Sequence, residues 1–408
     1  MTSSPLQVEG IARHGMPAVA SHWCRRAGSF AWQLMIGGAL ATTACAASAG
    51  STVNSAPASG ASNAGQVTTV PLDGPGLVKR LQDSVRLRSY SGTYVVTASG
   101  SMSSARIVHT WDGRSPIERV ESLDGQMRRV FRYNDAVHVL WPASRNASIE
   151  PRGALHGFPT SVANDAAAKL DMYEVLPGPD DRIAGHDAQT VTLRPRDNAR
   201  FTQRWWLERQ TGLLLRADVV SDRGEVLESA AFSELQLGTR VPAQTLLAEM
   251  NRLDGYRVSR SRIVNTDLDR EGWTLKSPVT GFRPVQCVQR QASDGGGRGT
   301  AASAAAIATT RASSGAQPSA SSPQAPGGSE SGNGLLQAIY SDGLTHVSIF
   351  IETYRPTTHV PEPVVAMGAT HAIAQRRGDW WITVVGDVPP STLRQFAQAL
   401  ERRKPGSQ

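Results

Sequence analysis

Between residues 90 and 141, short segments of alternating apolar and polar residues follow one another, separated by turn-forming pairs. The segments read SYSGTYVVTA, ARIVHTW, IERVESL, MRRVFRY and AVHVLW, and the pairs are Asp112-Gly113, Asp124-Gly125 and Asn134-Asp135. A period of two is typical of strands with one buried face, and these pairs favour tight hairpin turns. This part of the chain therefore predicts an antiparallel meander.

A second strand-rich stretch reads AQTVTLRP, RFTQRWWLE, GLLLRADVV and EVLESAAFSEL. Successive side chains of a strand point to opposite faces, so Trp205 and Trp206 are predicted to face opposite sides, with Trp206 on the face of Arg204 and Glu208. Alternation predicts one common face that carries Ile107, Trp111, Phe131, Val137, Val139, Trp141, Val191, Leu193, Phe201, Trp205, Leu207, Leu213 and Leu215.

A large curved sheet can cover its concave face with helices or leave it partly open as an apolar ligand cavity. The sequence leaves both uses open. The candidate residues for the lining of a lipid cavity are Ile107, Trp111, Phe131, Val139, Trp141, Trp205, Leu207 and Leu215.

Helical patterns are few. LVKRLQDSV places Leu77, Leu81 and Val85 one turn apart, which predicts a short amphipathic helix. The segment from Phe158 to Leu176 has room for one or two helices. From Gly238 to Arg270 the pattern weakens, and we interpret this part as an interdomain connection.

The last part of the chain predicts a second, smaller domain. LLQAIYSDGLTHVSIFIETY contains an Asp342-Gly343 turn between two alternating runs, and THAIAQRRGDWWITVVGD continues the strand pattern. PPSTLRQFAQALERR spaces Leu393, Phe396 and Leu400 along one helical face. Residues 291–334 are almost entirely small or polar and predict a disordered insert.

The N-terminus predicts export. Arg25 and Arg26 precede an apolar run and then small residues, which is typical of a secretion signal. Cleavage near Ala49 would release a soluble exported protein, whereas lipid anchoring at Cys45 is the alternative. The expected organisation is a signal region (1–46), a flexible tether (47–75), a large β domain (76–238), a linker (239–270) and a C-terminal α+β domain (271–404).

Catalytic signatures are missing from the sequence. The nine histidines form no metal-binding motif, and no nucleophile elbow, Walker loop or dinucleotide fingerprint occurs. Cys287 is the one cysteine beyond the signal region and is interpreted as a small packed residue. We therefore predict a protein that is not an enzyme and has no cofactor or metal.

The net charge of +7 is mild, and export disfavours nucleic acid as a partner. Arg128, Arg129 and Arg132 could contact phosphates, but alternation favours a mostly solvated strand face.

Three stretches resemble the RseB/MucB family of periplasmic regulators of the sigma-E envelope-stress response. They are LVKRLQDSVRLRSYSGTYVV, RWWLERQTGLLLRADVVSDRGEVLESAAF, and LQAIYSDGLTHVSIFIE followed by ITVVGDVPPSTLRQFAQAL. The resemblance covers roughly residues 76–404 apart from the insert. It implies an α+β fold with a half-open antiparallel barrel of the LolA/LppX type and a smaller C-terminal domain.

The resemblance also implies a function. The protein would bind the periplasmic part of a membrane-bound anti-sigma factor of the RseA/MucA type and shield it from site-1 proteolysis, until lipid or lipopolysaccharide releases it. A periplasmic lipid or lipoprotein carrier is the alternative, although a carrier has no need of the second domain, and a homo-oligomer is left open. Partner-binding candidates are Arg257, Arg260, Arg262, Tyr340, Asp342 and Trp380.

Overall fold

The computed structural model describes residues 74–153, 157–159, 170–239, 241–291, 334–357, 359 and 364–403. The predicted signal region, most of the tether and the insert between its end residues lie outside these ranges. Within them, every helix is too short or too polar to span a membrane.

A large sheet of twelve strands forms the first part of the molecule, in the order β12-β6-β5-β4-β3-β2-β1-β11-β10-β9-β8-β7. Its strands are β1 (Tyr90–Ala98), β2 (Ser101–Trp111), β3 (Pro116–Ser122), β4 (Arg129–Tyr133), β5 (Ala136–Trp141), β6 (Asn146–Pro151), β7 (Tyr173–Ile183), β8 (His186–Pro195), β9 (Thr202–Glu208), β10 (Leu214–Val220), β11 (Val226–Leu237) and β12 (Arg257–Arg260). All neighbours pair antiparallel except β12, which runs parallel to β6. The predicted meander is confirmed.

Two helices pack on the large sheet because each presents apolar residues to it. Helix α1 (Gly74–Leu87) packs Leu77 and Leu81 against Trp205 and Leu207. Helix α2 (Ala243–Asn251) packs Leu246 and Met250 against Val108, Ile117 and Phe131.

The segment predicted as a connection, 239–270, is therefore more ordered than expected. It contains α2, the edge strand β12 and a further strand, β13 (Arg262–Asn265). Helix α2 has nine residues, of which Ala243, Leu246 and Met250 are buried. Of the segment predicted to have room for helices, residues 160–169 lie outside the described ranges, and strand β7 begins at Tyr173.

A smaller sheet of seven strands follows, in the order β13-β15-β16-β17-β20-β19-β18, beside a two-stranded β14-β21 pair. Its further strands are β14 (Trp273–Leu275), β15 (Arg283–Gln291), β16 (Leu335–Ser341), β17 (His346–Thr353), β18 (Val365–Met367), β19 (Thr370–Arg377), β20 (Trp380–Gly386) and β21 (Leu400–Arg402). Helix α3 (Pro390–Ala399) packs Leu393 and Phe396 against Ile349 and Ile382. The predicted α+β class, with a large open sheet and a smaller second part, is confirmed.

The prediction of one common apolar face is wrong. Ile107 pairs with Val120, Val120 with Val130, and Val130 with Val139, whereas Phe131 pairs with Arg119 and His138 and faces α2. Alternation correctly separates the two faces of a single strand. Which residues of two neighbouring strands lie on the same face depends on the register of the hairpin that joins them, and the sequence pattern does not specify that register.

Bulges cause the second departure from the common face. The β9–β10 register shifts between Leu214 and Arg216, so Leu213 and Leu215 pack with Trp206 while Trp205 and Leu207 pack beneath α1. Both rings are consequently buried, with Trp205 2% and Trp206 5% exposed. Trp205 and Trp206 face opposite sides of the sheet, as predicted, because they pack in different clusters. Trp206 lies on the side of Arg204, whose guanidinium carbon is 6.0 Å from the Trp206 ring centroid.

Candidate functional site

The side of strands β1 to β5 that faces away from α2 has an apolar row that becomes more exposed toward β5. We call this side the inner face. Across it run Ile107, Val120, Val130 and Val139, each the register partner of the next. The first two are buried and the last two are half-buried. The apolar row is therefore accessible from the β4–β5 side.

The cavity-lining candidates divide among three places. Ile107, Trp111, Val139 and Trp141 lie on the inner face by alternation, and Trp111 and Trp141 are half-buried. Leu215 packs in the same cluster as Ile107. The remaining candidates lie elsewhere: Phe131 packs on α2, and Trp205 and Leu207 pack under α1.

Next to the apolar row, a polar row crosses four strands. Tyr90 pairs with His109, His109 with Glu118, and Glu118 with Arg132. The Tyr90 and His109 rings stack with centroids 4.8 Å apart, and the Arg132 guanidinium donates a hydrogen bond to the Glu118 carboxylate. His109 is further oriented by a contact of 2.9 Å between its Nδ1 and the Arg88 carbonyl.

The charges around the polar row favour the ionised form of Glu118. Burial acts to raise the pKa of Glu118, but Arg132, His109 and Arg152 outweigh it, so that the pKa is lowered and the carboxylate is ionised. Burial lowers the pKa of Arg128 and of Arg152, and Arg132 lowers both further. The guanidinium groups are thus partly desolvated and close enough to repel one another.

Two polar atoms at this site, the Tyr90 hydroxyl and the Arg152 Nε, are buried and have no hydrogen-bond partner among the described residues. Tyr90 itself is 0% exposed. Buried polar groups in folded proteins nearly always have a partner. The sequence interpretation of Arg128 and Arg132 as a solvated face missed this site, although Glu118 two residues before the buried Val120 was an available signal.

A second polar cluster joins the two sheets. The Arg200 side chain is wholly buried and donates to the Asp342 and Asp197 carboxylates. Its Nη2 also donates to the Thr280 carbonyl at 2.7 Å, and its guanidinium carbon lies 4.6 Å from the Phe282 ring centroid.

The hydrogen-bonding capacity of the Asp342 carboxylate is also met. It accepts hydrogen bonds of 2.9 Å from the Tyr173 hydroxyl and from the backbone N–H groups of Leu344 and Thr345. The whole cluster links β7 and the β8–β9 turn of the large sheet to the β16–β17 turn of the small one. We call it the inter-sheet latch, comprising Tyr173, Asp197, Arg200 and Asp342.

The partner-binding candidates are also divided by the structure. Arg257, Arg260 and Arg262 are exposed on β12 and β13. Trp380 is half-buried, with the Arg402 guanidinium carbon 4.4 Å from its ring centroid. Tyr340 and Asp342 are buried, at 8% and 0% exposure, so these side chains have little or no surface to present to a partner.

A second contact between the sheets contains a carboxyl group with a raised pKa. Burial, followed by the charge of Asp387, raises the pKa of Glu228 to about 8, while the Ala369 N–H opposes the shift. Gly368 beside it donates its N–H to the Ser99 hydroxyl at 2.6 Å. A Cβ at Gly368 would lie 2.8 Å from the Ala98 Cβ, so the close approach of the two sheets requires glycine here.

Cys287 is half-buried against the core of the small sheet, and burial raises the pKa of its thiol to about 11, which disfavours the nucleophilic thiolate. Within the described ranges, no group of three or more His, Cys, Asp or Glu residues is arranged to hold a metal ion.

Comparison with known proteins identifies relatives along the same two parts of the chain. The model of the MucB/RseB N-terminal domain matches residues 73–250, and that of the MucB/RseB C-terminal domain matches residues 267–401. The sigma factor AlgU regulatory protein MucB of Pseudomonas aeruginosa is 24% identical over 342 residues, which are 81% of this chain and 92% of that protein. The sigma-E factor regulatory protein RseB of Haemophilus influenzae is 20% identical over 316 residues, 77% of this chain and 87% of that protein.

The fold is shared with solved structures. The crystal structure of MucB in complex with MucA(peri) superposes with a TM-score of 0.55 at 21% identity, covering 81% of this chain and all of that one. The two matched models follow one another in the order of the two sheets and together span most of the chain. The chain belongs to the MucB/RseB family.

Proposed function

We propose that the protein is an exported, non-enzymatic negative regulator of sigma-E signalling that binds the periplasmic segment of a membrane-bound anti-sigma factor of the MucA/RseA type. The observation that carries the proposal is the succession of both MucB/RseB domain models along one chain. The shared fold with MucB in complex with MucA(peri) supports it. Binding would shield the anti-sigma factor from site-1 proteolysis.

The exposed candidates define the surface that we propose for this partner. Arg257, Arg260 and Arg262 lie where the chain passes from the large sheet to the small one, and Trp380 lies at the start of β20. Asp342 contributes indirectly, because its bonds to Tyr173 and Arg200 hold the two sheets in the arrangement that presents this surface, and Tyr340 contributes as core of the small sheet, where it packs against Phe396.

The test is titration calorimetry of the full-length protein with the periplasmic segment of a MucA/RseA-type anti-sigma factor from the same organism. We expect specific binding that weakens by about tenfold in a variant with Arg257, Arg260 and Arg262 all changed to Gln, because charged rim residues steer and orient an interface. A matched control changes Arg182, Arg223 and Arg283 to Gln, three exposed arginines away from this junction. Undetectable binding to the unmodified protein would contradict the regulatory proposal.

We further propose that the inner face binds acyl chains and that this binding opposes the anti-sigma contact. The apolar row from Ile107 to Val139 with its half-buried end supports the proposal, since each buried methylene stabilises binding by about 0.8 kcal/mol. The remaining candidates Phe131, Trp205 and Leu207 would act as supporting core behind the inner face.

A neutral fluorescent acyl ester tests this part. We expect binding to the full-length protein and a loss of at least about tenfold in a Val130→Ser and Val139→Ser double variant. Val226→Ser and Val264→Ser, at exposed positions elsewhere, provide the control. Because coupling is reciprocal, the acyl ester should also weaken anti-sigma binding, by about 5–150-fold. Equal anti-sigma affinity with and without the ester would leave only a passive shield.

A further inference from the structure

The second contact between the sheets brings together one carboxyl group from each sheet. Glu228 lies on β11 of the large sheet, Asp387 follows β20 of the small sheet, and the charge of Asp387 acts on the Glu228 carboxyl. Beside them, Gly368 donates its N–H to the Ser99 hydroxyl at 2.6 Å. The Ala369 N–H is bonded to the Glu228 carboxyl. We call these five residues the carboxyl contact.

The small sheet approaches Glu228 closely through the turn between β18 and β19. A Cβ at Gly368 would lie 3.2 Å from a Glu228 carboxyl oxygen and 2.8 Å from the Ala98 Cβ. Gly368 also has a φ of 60°, in the left-handed region that favours glycine. The backbone of this turn therefore lies directly against the Glu228 carboxyl, which is desolvated as a result.

The surroundings of Glu228 suit a neutral carboxyl better than a charged one. Its register partners on β1 and β10 are Ala98 and Val219, which are both apolar. Across the contact, Asp387 has the same sign as an ionised Glu228. Asp387 has its own partner in His346, whose Nδ1 lies 3.3 Å from its carboxylate. Among the described residues, the Ala369 N–H is the group that favours the ionised form of Glu228.

Formation of this contact is therefore linked to a proton. Desolvation, followed by the charge of Asp387, raises the pKa of Glu228 to about 8, whereas contact with water would return it to about 4.3. With these values, the ratio of formed to separated contact falls about tenfold between pH 7 and pH 9.5. His371, which also lies near Asp387, stays neutral in this interval because burial lowers its pKa.

We propose that the carboxyl contact is a pH-dependent connection, which joins the two sheets while Glu228 is protonated and separates when Glu228 ionises beside Asp387. The inter-sheet latch does not involve Glu228 and acts as the pivot. The surface proposed for the anti-sigma factor lies at the junction of the sheets, so alkaline pH would weaken that binding. This last consequence rests on the proposed function, whereas the separation itself does not.

The experiment measures the distance between the two sheets in the full chain by pulsed electron–electron double resonance. Nitroxide labels are attached through Leu123→Cys, between β3 and β4, and Asp379→Cys, between β19 and β20, both at exposed positions. The 3 native cysteines are changed to Ala. We expect a single distance at pH 7 and a second distance at pH 9.5, with the ratio of the two populations changing about tenfold.

Variants then assign the response to the carboxyl contact. Glu228→Gln keeps the side chain neutral, so the single distance should persist at pH 9.5. Gly368→Ala adds a Cβ for which the contact has no room, so the second distance should already be present at pH 7. Glu234→Gln removes an exposed carboxylate from the same strand and should retain the full response. Glu352, whose pKa is raised to about 7, is present in every variant.

The outcomes separate this proposal from the proposed function. Identical distances at pH 7 and pH 9.5 in the labelled protein with Glu228 intact would overturn the connection, whether or not the variants fold. A response that persists in Glu228→Gln would overturn its assignment to this carboxyl. In a second arm, affinity for the anti-sigma segment should fall by up to about tenfold from pH 7 to pH 9.5, and less in Glu228→Gln. Distances that respond to pH in a protein that never binds the segment would overturn the proposed function and leave the connection standing.

Discussion

Two arginine–carboxylate pairs, Arg200–Asp342 in the inter-sheet latch and Arg132–Glu118 on the inner face, differ in their surroundings. The first pair is 0% exposed on both sides, and the further groups around it accept from Arg200 or donate to Asp342. The second has a carboxylate that is 7% exposed and an arginine that is 28% exposed, and two buried atoms nearby have no partner in the described part of the chain. The hydrogen-bonding capacity of Arg200–Asp342 is met by neighbouring residues, and we call it the closed pair. The surroundings of Arg132–Glu118 leave donors without acceptors among the described residues, and we call it the incomplete pair.

The difference indicates how structural and ligand-binding pairs can be distinguished. A buried ion pair is tolerated when its remaining hydrogen-bonding capacity is met, because desolvation otherwise outweighs the attraction. The latch meets that condition with residues from both sheets, which suits a structural role. The described residues of the inner face do not meet it, which suits a site completed by a ligand.

The largest expected effect comes from breaking the closed pair. Arg200→Met removes the only cation bonded to Asp342 among the described contacts and leaves the carboxylate buried, which should lower the free energy of unfolding by about 3–5 kcal/mol. Urea denaturation monitored by tryptophan fluorescence measures it. Arg194→Gln, which breaks a surface pair exposed by 59% and 42%, should cost less than about 1 kcal/mol. Equal losses in the two variants would refute a structural latch.

The second effect concerns pH at the other contact between the sheets. The folded-state pKa of Glu228, about 8, lies above an unfolded value near 4.3. The folded state therefore binds the extra proton, so this group lowers stability progressively as pH rises from about 4 to about 8. Asp387 faces the carboxyl group, and His346 and His371 lie around Asp387.

Glu228→Gln should remove that decline. At pH 9 we expect the variant to be more stable than the unmodified protein by at least about 2 kcal/mol, since each pKa unit corresponds to about 1.4 kcal/mol, and at pH 4 the two should be nearly equal. Urea denaturation midpoints of both proteins between pH 4 and pH 9 measure the difference in stability. The contributions of His346 and His371 cancel in this difference because both proteins contain them. If the stabilities of the two proteins changed with pH in parallel, Glu228 would not be buried in its neutral form.

Much of the fold followed from the sequence because strand pairing here is mostly sequential. The β1–β5 meander, the β16–β17 hairpin at Asp342-Gly343 and helix α3 all have local signals that agree with the tertiary structure. Helix α2 and strand β12 depend on packing and edge pairing rather than on a strong local pattern, and the sequence interpretation treated their segment as a connection.

The candidate sites were less predictable, for a physical reason. Face assignment across a sheet depends on register and bulges, so Phe131, Trp205 and Leu207 could not be separated from Ile107 and Val139 by alternation alone. The burial of Asp342 requires Arg200 and Tyr173, which are 142 and 169 residues away along the chain. A contact of that separation leaves no periodic pattern in a single sequence.

A smaller effect is expected from Tyr173→Phe. Its hydroxyl donates to the buried Asp342 carboxylate at 2.9 Å, and a hydrogen bond to a charged acceptor contributes about 1.5 kcal/mol or more. The variant should lower the urea midpoint accordingly, and a double variant with Arg200→Met should lose less than the sum because both side chains act on the same carboxylate. Full additivity would indicate that the two bonds are independent.

The smallest effect is expected from Tyr90→Phe, the matched change on the inner face. The Tyr90 hydroxyl has no partner to lose among the residues that the structure describes, and the ring stacked on His109 remains, so stability should change by less than about 0.5 kcal/mol or rise slightly when a desolvated hydroxyl is removed. If Tyr173→Phe lowers stability and Tyr90→Phe does not, the hydroxyl beside Asp342 contributes to folding and the hydroxyl on the inner face does not. This result would separate the closed pair from the incomplete pair most clearly. A loss of stability as large as that of Tyr173→Phe would instead mean that Tyr90 has an internal partner in solution and that the inner-face site is complete without a ligand.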